Sequence, residues 1–492
     1  MNRKMKIASI CFLLSSFCWY NLVCAQQFTV QFSKKLSQKN FTGRVFVFLS
    51  KENKNPLNQE NWTRLQPVFA ADVANLQANK SIIVNNKNAI SFPVAITDME
   101  RGAYYATLLF DNNLGGRAIV SSPGNYISQT KQITLTKNRN AIYNFIADSI
   151  IPQPIFKTGK YRKEFKIKSE LLTAFHKKDT YIAGGVALPD TLLINPNAKL
   201  PLMISVTGFG GDYKSVGDYD HAMDTAWTGI PFIFVEIDGN CPTGHNVYAN
   251  SDNNGPYGDA LVDEFLPQLE KQFNCNGFRY ITGHSSGGWS SLWLKLNYPE
   301  KFNFCWSSSP DYVDFTAFQY VDIYKEKNFF YDSTGALTNY ATLAGYWQII
   351  ANREQSFYEN VLNRGEQLTS FEAVYSQRGK NGLPKKLWNR QTGLIDTAVA
   401  NYWKKFDVKI FLEKNYHHIK NNIDNQLIIT AGYQDNFGAN IPVMQVEELV
   451  KKEKMKLEVM MVAGDHFTID IGGLQEKIFL MLRRQYKLFI EK

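Results

Sequence analysis

The feature that most constrains this chain is the run Gly283-His284-Ser285-Ser286-Gly287-Gly288, together with what flanks it. Phe278 to Thr282 before it is a short apolar run of strand type, and Trp289 to Leu296 after it reads as a helix. A Gly-x-Ser-x-Gly set between a buried strand and a helix demands a very sharp turn. The serine then takes strained backbone angles and its hydroxyl projects from the sheet. Glycines are needed on either side because the helix passes close by. Alone, the motif is only a Ser/Gly-rich loop. With its flanks it makes Ser285 a candidate nucleophile, and the rest of the chain must supply the partners.

The surroundings fit an α/β fold. Strand-like segments at Leu202 to Val206, Phe232 to Ile237, Phe278 to Thr282, Phe304 to Ser307, Gln426 to Ala431 and Leu457 to Val462 alternate with helical ones. Several are apolar on both faces, as parallel strands covered by helices on both sides must be. Gly258 to Phe273 predicts a helix with Leu261, Phe265 and Leu269 on one face and Pro267 disturbing it. An amphipathic helix from about Leu474 to Phe489 closes the chain. Asp311 to about Asn425 breaks the alternation: it is rich in Phe, Tyr and Trp, with helical pieces such as Glu354 to Leu362. We read 311–425 as an insertion overhanging the carboxyl edge of the sheet, a lid or pocket wall.

Upstream, residues 26–150 read as all-β. Phe28 to Phe32, Arg44 to Leu49, Ala89 to Val94, Gly102 to Phe110 and Lys131 to Leu135 are strand-like, separated by polar turns, which predicts a β-sandwich-like domain. A join at 151–162, opening Ile151-Pro152-Gln153-Pro154, leads into the α/β domain at 163–492. Residues 1–25 have the form of a signal peptide, with a basic start at Arg3, Lys4 and Lys6, an apolar stretch from Ile7 to Leu22, and Val23-Cys24-Ala25 at the cleavage site. The expectation is cleavage after Ala25 and a periplasmic or extracellular protein; anchoring through Cys24 is disfavoured by Val23, where a small residue is usual. No later stretch reaches the ~18 apolar residues of a membrane span.

The formal charge of +9 comes from scattered lysines, which gives no support to a nucleic-acid partner. Three of the six cysteines lie in the leader, leaving Cys241, Cys275 and Cys305, too few for a disulfide framework and wrongly spaced for a metal site. The expected chemistry therefore uses no metal and no organic cofactor, and the oligomeric state is left open.

A serine hydroxyl needs a base, usually histidine. Of seven histidines, His466 in Gly464-Asp465-His466-Phe467 follows the last strand, where a Ser…Asp…His chain order puts the base. The acid that orients the imidazole is Asp435, after the preceding strand, with Asp311 as its rival one strand earlier. The oxyanion needs two donors. The amide of Ser286 is one, and the Gly-rich turn Thr207-Gly208-Phe209-Gly210-Gly211 offers the other at Phe209, with Gly210 in reserve. No Gly-Lys-Ser/Thr follows that turn, so it is not a phosphate loop. Gly210, His284 and His245, the last within the polar loop 243–255, are candidates for contacting substrate.

Val186-Ala187-Leu188-Pro189, Gly208-Phe209-Gly210-Gly211, Glu264 to Glu270, Gly283 to Gly288 and Gly464 to Phe467 together resemble the putative-esterase branch of the α/β-hydrolases, which includes feruloyl and acetylxylan esterases, mycolyltransferases and siderophore esterases. The resemblance implies a serine esterase with Ser285 as nucleophile, His466 as base, Asp435 as acid, and Phe209 and Ser286 as oxyanion donors. Siderophore esterases of this branch also carry an N-terminal β-domain. Two departures stand out: Thr207 occupies a position where many relatives have His or Asp, and the insertion is long. The expected substrate is a small-molecule or glycan ester, an acetyl- or hydroxycinnamoyl-carbohydrate foremost. A siderophore lactone, a peptide, or a catalytically inert glycan-binding role are the competing readings.

Overall fold

The computed structural model describes residues 26–58, 64–138, 140–223, 228–469 and 473–492. The expected signal peptide, residues 1–25, lies outside the described residues.

The first part of the chain is built from two sheets. The smaller places Gln27–Phe32 between Ile82–Val84 and Ile142–Ala147. The larger is centred on Phe41–Ser50 and Gly102–Asp111. Alternate residues Phe28, Val30 and Phe32 face Val45, Val47, Leu49, Leu108 and Phe110 across the interior, the period-2 pattern that a sandwich core requires. Strand Val68–Leu76 is a member not anticipated above. Its outer half is exposed at Asp72, Ala74 and Asn75 and carries little apolar alternation.

Strand Phe41–Ser50 is apolar on both faces for a reason. Phe46 and Phe48 point away from the sandwich core and pack with Tyr358, Val361 and Leu362, which belong to helix Asn352–Leu362 of the insertion. The β-domain therefore rests on the insertion. Polar contacts lock this joint. Arg364 reaches Asp111 with Nη2–Oδ1 of 2.7 Å and Nε–Oδ2 of 3.0 Å, and donates to Gly116 O at 2.8 Å. Both side chains of that ion pair are mostly buried.

The remainder is an eight-stranded sheet ordered Arg162–Lys168, Tyr181–Ala187, Ile233–Ile237, Leu200–Val206, Cys275–His284, Phe304–Ser308, Leu427–Gly432, Glu458–Val462. The first two pairings, of Arg162–Lys168 with Tyr181–Ala187 and of Tyr181–Ala187 with Ile233–Ile237, are antiparallel, and the rest are parallel. One face is covered by helix Ser286–Asn297 through Trp289, Leu292 and Leu296. The other is covered by the last helix, Leu474–Ile490, whose Leu474, Ile478, Phe479 and Leu482 meet Phe278, Tyr280 and Phe304. Between Tyr257 and Phe273 the expected helix is present, but residues Ala260–Phe265 form a wider π turn just before Pro267. The proline lacks an amide hydrogen and blocks a regular ladder there. Cys241, Cys275 and Cys305 are all free.

The insertion joins two adjacent strands, Phe304–Ser308 and Leu427–Gly432. It contains a hairpin, Asn339–Leu343 with Trp347–Ala351, and three helices, Asn352–Leu362, Gln367–Tyr375 and Thr397–Trp403. Its final piece, Val408–Ile423, is the crossover helix that two parallel neighbours need, so the overhanging part is shorter than 311–425. No helix among the described residues is long and apolar enough to cross a membrane.

Arg364→Met should strand the Asp111 carboxylate in a buried setting. We expect a loss of about 3–5 kcal/mol in denaturant unfolding, and the double variant Arg364→Met/Asp111→Leu should recover much of it.

Candidate active site

Ser285 has φ 58° and ψ −125°, outside the regions a side chain tolerates freely. The surroundings over-determine this geometry. Its amide donates to Ser308 O at 3.0 Å, and its carbonyl accepts from Trp289 N at 2.9 Å and Asp311 N at 3.2 Å. The three nearby glycines are required by space: a Cβ on Gly287 would stand 2.0 Å from Val206 O, one on Gly283 2.3 Å from Gly287 O, and one on Gly288 2.4 Å from Ser308 O. Helix Ser286–Asn297 thus lies directly against the central strands. Ser286 opens that helix, so its amide is among those with no intrahelical acceptor, at the positive end of the helix dipole.

The turn after Leu200–Val206 passes beside the serine. A Cβ on Gly208 would be 3.4 Å from Ser285 Cβ. Gly211 N closes the turn on Gly208 O at 3.0 Å, with Gly210 at φ +90°. Phe209 and Gly210 line one cavity with Ser285 and His466. His245 is placed differently from the expectation. It is buried behind the turn, its Nδ1 accepting from Val247 N at 3.1 Å and its Nε2 lying 3.1 Å from Thr207 O. Burial pushes its pKa down to about 4, so the ring is neutral and Nε2–H braces the turn from outside the cavity. This bracing meets Thr207 through its carbonyl, which any residue at that position would supply.

His466 Nδ1 is 2.6 Å from Asp435 Oδ2. The other carboxylate oxygen, Oδ1, accepts from Phe437 N at 2.8 Å and Ala439 N at 3.2 Å. Burial opposes ionisation of Asp435, but the His466 charge, its hydrogen bond and these amides outweigh it and hold the carboxyl below its usual range. For His466 burial likewise opposes the charged form, yet the Asp435 charge and hydrogen bond win and raise the imidazole above its ordinary value. The structure brings Asp435 to the histidine and Asp311 to the serines.

Asp311 accepts from Ser286 Oγ at 2.5 Å and lies 3.4 Å from Ser285 Oγ. Gln367 Nε2 of the insertion is 3.4 Å from the same carboxylate. Burial pushes Asp311 up to about 6. The Ser285 contact is at the long edge of hydrogen-bond range and holds the hydroxyl weakly. His284 sits behind His466, with Nδ1 3.1 Å from Ser308 Oγ and its ring 4.9 Å from that of His466. Burial, then the neighbouring His466, depress its pKa to about 4.

The cavity measures about 630 Å³ and is walled by three separate stretches of chain. Leu65, Gln66 and Arg117 come from the β-domain, Tyr340, Glu366 and Phe371 from the insertion, and Phe437 and Phe467 from the loops that carry Asp435 and His466. Arg117, Glu366 and Gln367 were not singled out in the sequence. Arg117 sits in irregular chain and Glu366 and Gln367 at the start of helix Gln367–Tyr375, and only the fold brings them to Ser285.

Residues 179–473 match the model of the family described as putative esterase. Among solved structures, a ferulic acid esterase aligns at 12% identity over 66% of this chain and 99% of its own, with TM-score 0.40. An S-formylglutathione hydrolase from Agrobacterium tumefaciens aligns at 14% identity over 68% of this chain and 97% of its own, with TM-score 0.37. Dipeptidyl peptidase 4 of Porphyromonas gingivalis aligns at 11% identity over 92% of this chain but 48% of its own, with TM-score 0.37. No curated protein sequence matches this chain significantly.

The two carboxylates are separable by experiment. Asp435→Asn should lower kcat on an activated ester by on the order of 10⁴-fold, because the amide stabilises the wrong tautomer. Asp311→Asn keeps an acceptor for Ser286 and should cost far less. Equal losses would overturn the assignment.

Proposed function

Proceeding from the chain's membership of the putative esterase family, we propose that this ester hydrolase works through an acyl-enzyme on Ser285, with His466 as base and Asp435 as acid. The observation that carries the reading is the strained Ser285 facing one cavity with a histidine whose far nitrogen is fixed 2.6 Å from a buried carboxylate. In this reading Ser285 Oγ turns from Asp311 towards His466 Nε2 and loses its proton to it as the Oγ–C bond forms. The carbonyl electrons move to oxygen, where the amides of Phe209 and Ser286 stabilise the charge. Collapse expels the alcohol, which takes the proton from His466. Water, activated by the same imidazole, then hydrolyses the acyl-serine. The cycle draws only on these side chains, two amides and water.

We propose an acylated carbohydrate as substrate, with an acetyl or hydroxycinnamoyl group. The support is a cavity of about 630 Å³ with ring faces at Phe209, Tyr340, Phe371, Phe437 and Phe467 and carboxamides at Gln319, Gln355 and Gln367, suited to an aromatic acid or a sugar face beside hydrogen-bonding groups. Export, from the form of residues 1–25, is part of the same proposal; it would place the enzyme where polymeric glycan esters are met.

Ser285→Ala should abolish hydrolysis of p-nitrophenyl acetate and labelling by a fluorophosphonate probe; retained turnover refutes the mechanism, and an unlabelled parent protein favours the inert glycan-binding alternative. The base must be neutral to act, and its pKa is raised. The acid limb of kcat/KM against pH should therefore have its midpoint above 6.5, the ordinary histidine value. Residual activity of Asp435→Asn should show that midpoint moved to lower pH.

A further inference from the structure

Three arginines stand where the β-domain meets the rest of the molecule, and two of them are paired to carboxylates. Arg44 holds Asp72 with Nε–Oδ1 of 2.7 Å and Nη2–Oδ2 of 2.8 Å. Arg364 holds Asp111. These pairs fasten the joint. Arg117 is different. It is half-buried, and its guanidinium carbon lies 4.3 Å from the centroid of the Phe209 ring. Its Nη1 donates to Gly365 O at 3.0 Å. Its contacts are thus a carbonyl and an aromatic face, and among the described residues no carboxylate forms an ion pair with it.

The charges around Arg117 do not supply its missing anion. Glu366 is the nearest in influence and lines the same cavity. Burial pushes that carboxyl up to about 8 despite the pull of Arg117, and it forms no ion pair with the guanidinium. Cys241 is held as a thiol by burial. Asp238 spends its carboxylate on Tyr213 N at 3.1 Å and Asn240 N at 3.0 Å; it lines a second cavity that Arg117 and Gly210 also border, but it forms no ion pair with the guanidinium and does not line the cavity of Ser285. A guanidinium remains cationic under all these conditions. A partly desolvated cation without an anion is costly, and this one faces the catalytic cavity beside the oxyanion turn: a Cβ on Gly210 would stand 3.6 Å from Arg117 Nη2.

We propose that Arg117 is a substrate-binding residue delivered by the β-domain, and that the esters this enzyme prefers carry a carboxylate close to the scissile bond. The proposal rests on Ser285 being the nucleophile. The planar fork of donors suits a carboxylate, while the Phe209 ring and Gly365 carbonyl hold it in place. Within the carbohydrate reading this selects an acylated acidic sugar, or an acyl group that itself ends in a carboxylate, over neutral counterparts. It also gives the β-domain a part in specificity.

The test uses the full-length enzyme and two pairs of esters. p-Nitrophenyl butyrate against p-nitrophenyl hemisuccinate places the carboxylate on the acyl side, and phenyl acetate against 4-carboxyphenyl acetate places it on the alcohol side. The quantity read is the ratio of kcat/KM within each pair, which does not depend on the fraction of a variant that is folded. In at least one pair the parent ratio should exceed that of Arg117→Leu by about tenfold or more, through KM, with Arg117→Lys between them. Identical ratios in parent and Arg117→Leu for both pairs overturn the proposal. So does a fall in kcat that is equal for charged and neutral esters, which would make Arg117 a brace for the oxyanion turn. If the parent hydrolyses none of the four and escapes the fluorophosphonate probe, the nucleophile assignment falls, and this inference with it.

Discussion

The close approach of helix Ser286–Asn297 to the central strands is the constraint on which the rest of the site depends. With 2.0 Å between a hypothetical Gly287 Cβ and Val206 O, no side chain fits there. The helix can start so near the sheet only if the residue before it turns through the left-handed region. That residue is Ser285, and its strain costs about 1–3 kcal/mol. Three backbone hydrogen bonds to the amide and carbonyl of Ser285 hold it, each worth about 1 kcal/mol, so the balance is close and the surrounding packing decides it. The same approach sets the Ser286 amide and the turn at Gly208 on either side of one point above the serine.

Two buried aspartates near that point show how environment divides like groups. Both lose solvation. Asp435 recovers it through the His466 imidazole and two amides, and its carboxyl falls below the usual range. Asp311 has hydroxyls and an amide side chain instead, and it rises to about 6. Hydroxyl donors offset burial less than a histidine and backbone amides do. A carboxylate suited to stabilising a forming positive charge is therefore the one already matched to a histidine.

What could be read in the sequence was what local chain encodes. The parallel strands show as apolar runs because both faces are covered, and Gly283 to Gly288 shows because sterics admit only small residues there. Other elements had no such signature. Strand Arg162–Lys168 alternates exposed Glu164, Lys166 and Lys168 with buried Phe165 and Ile167 at the sheet edge, which resembles a polar, mostly basic linker. The hairpin Asn339–Leu343 with Trp347–Ala351 has an exposed tip with Leu343 and Trp347. Polar loop composition around His245 suggested ligand contact, whereas the ring is consumed in bracing Thr207. The histidine's partners are backbone groups, which leave no trace in side-chain identity.

The insertion is better regarded as a fixed wall than as a hinged lid. Helix Asn352–Leu362 buries Tyr358, Val361 and Leu362 against Phe46, Phe48 and Leu109 of the β-domain. Burying three such side chains contributes roughly 1.5–3 kcal/mol each, and the Arg364–Asp111 pair adds a joint that cannot open without stranding a charge. Next to it, Glu366 and Gln367 face the cavity, one beside Arg117 and the other on Asp311. Rigid attachment fixes the distance between Ser285 and the cavity groups that the insertion and the β-domain carry. The β-sandwich thus contributes Leu65, Gln66 and Arg117 to the cavity and the surface that keeps the opposite wall in place.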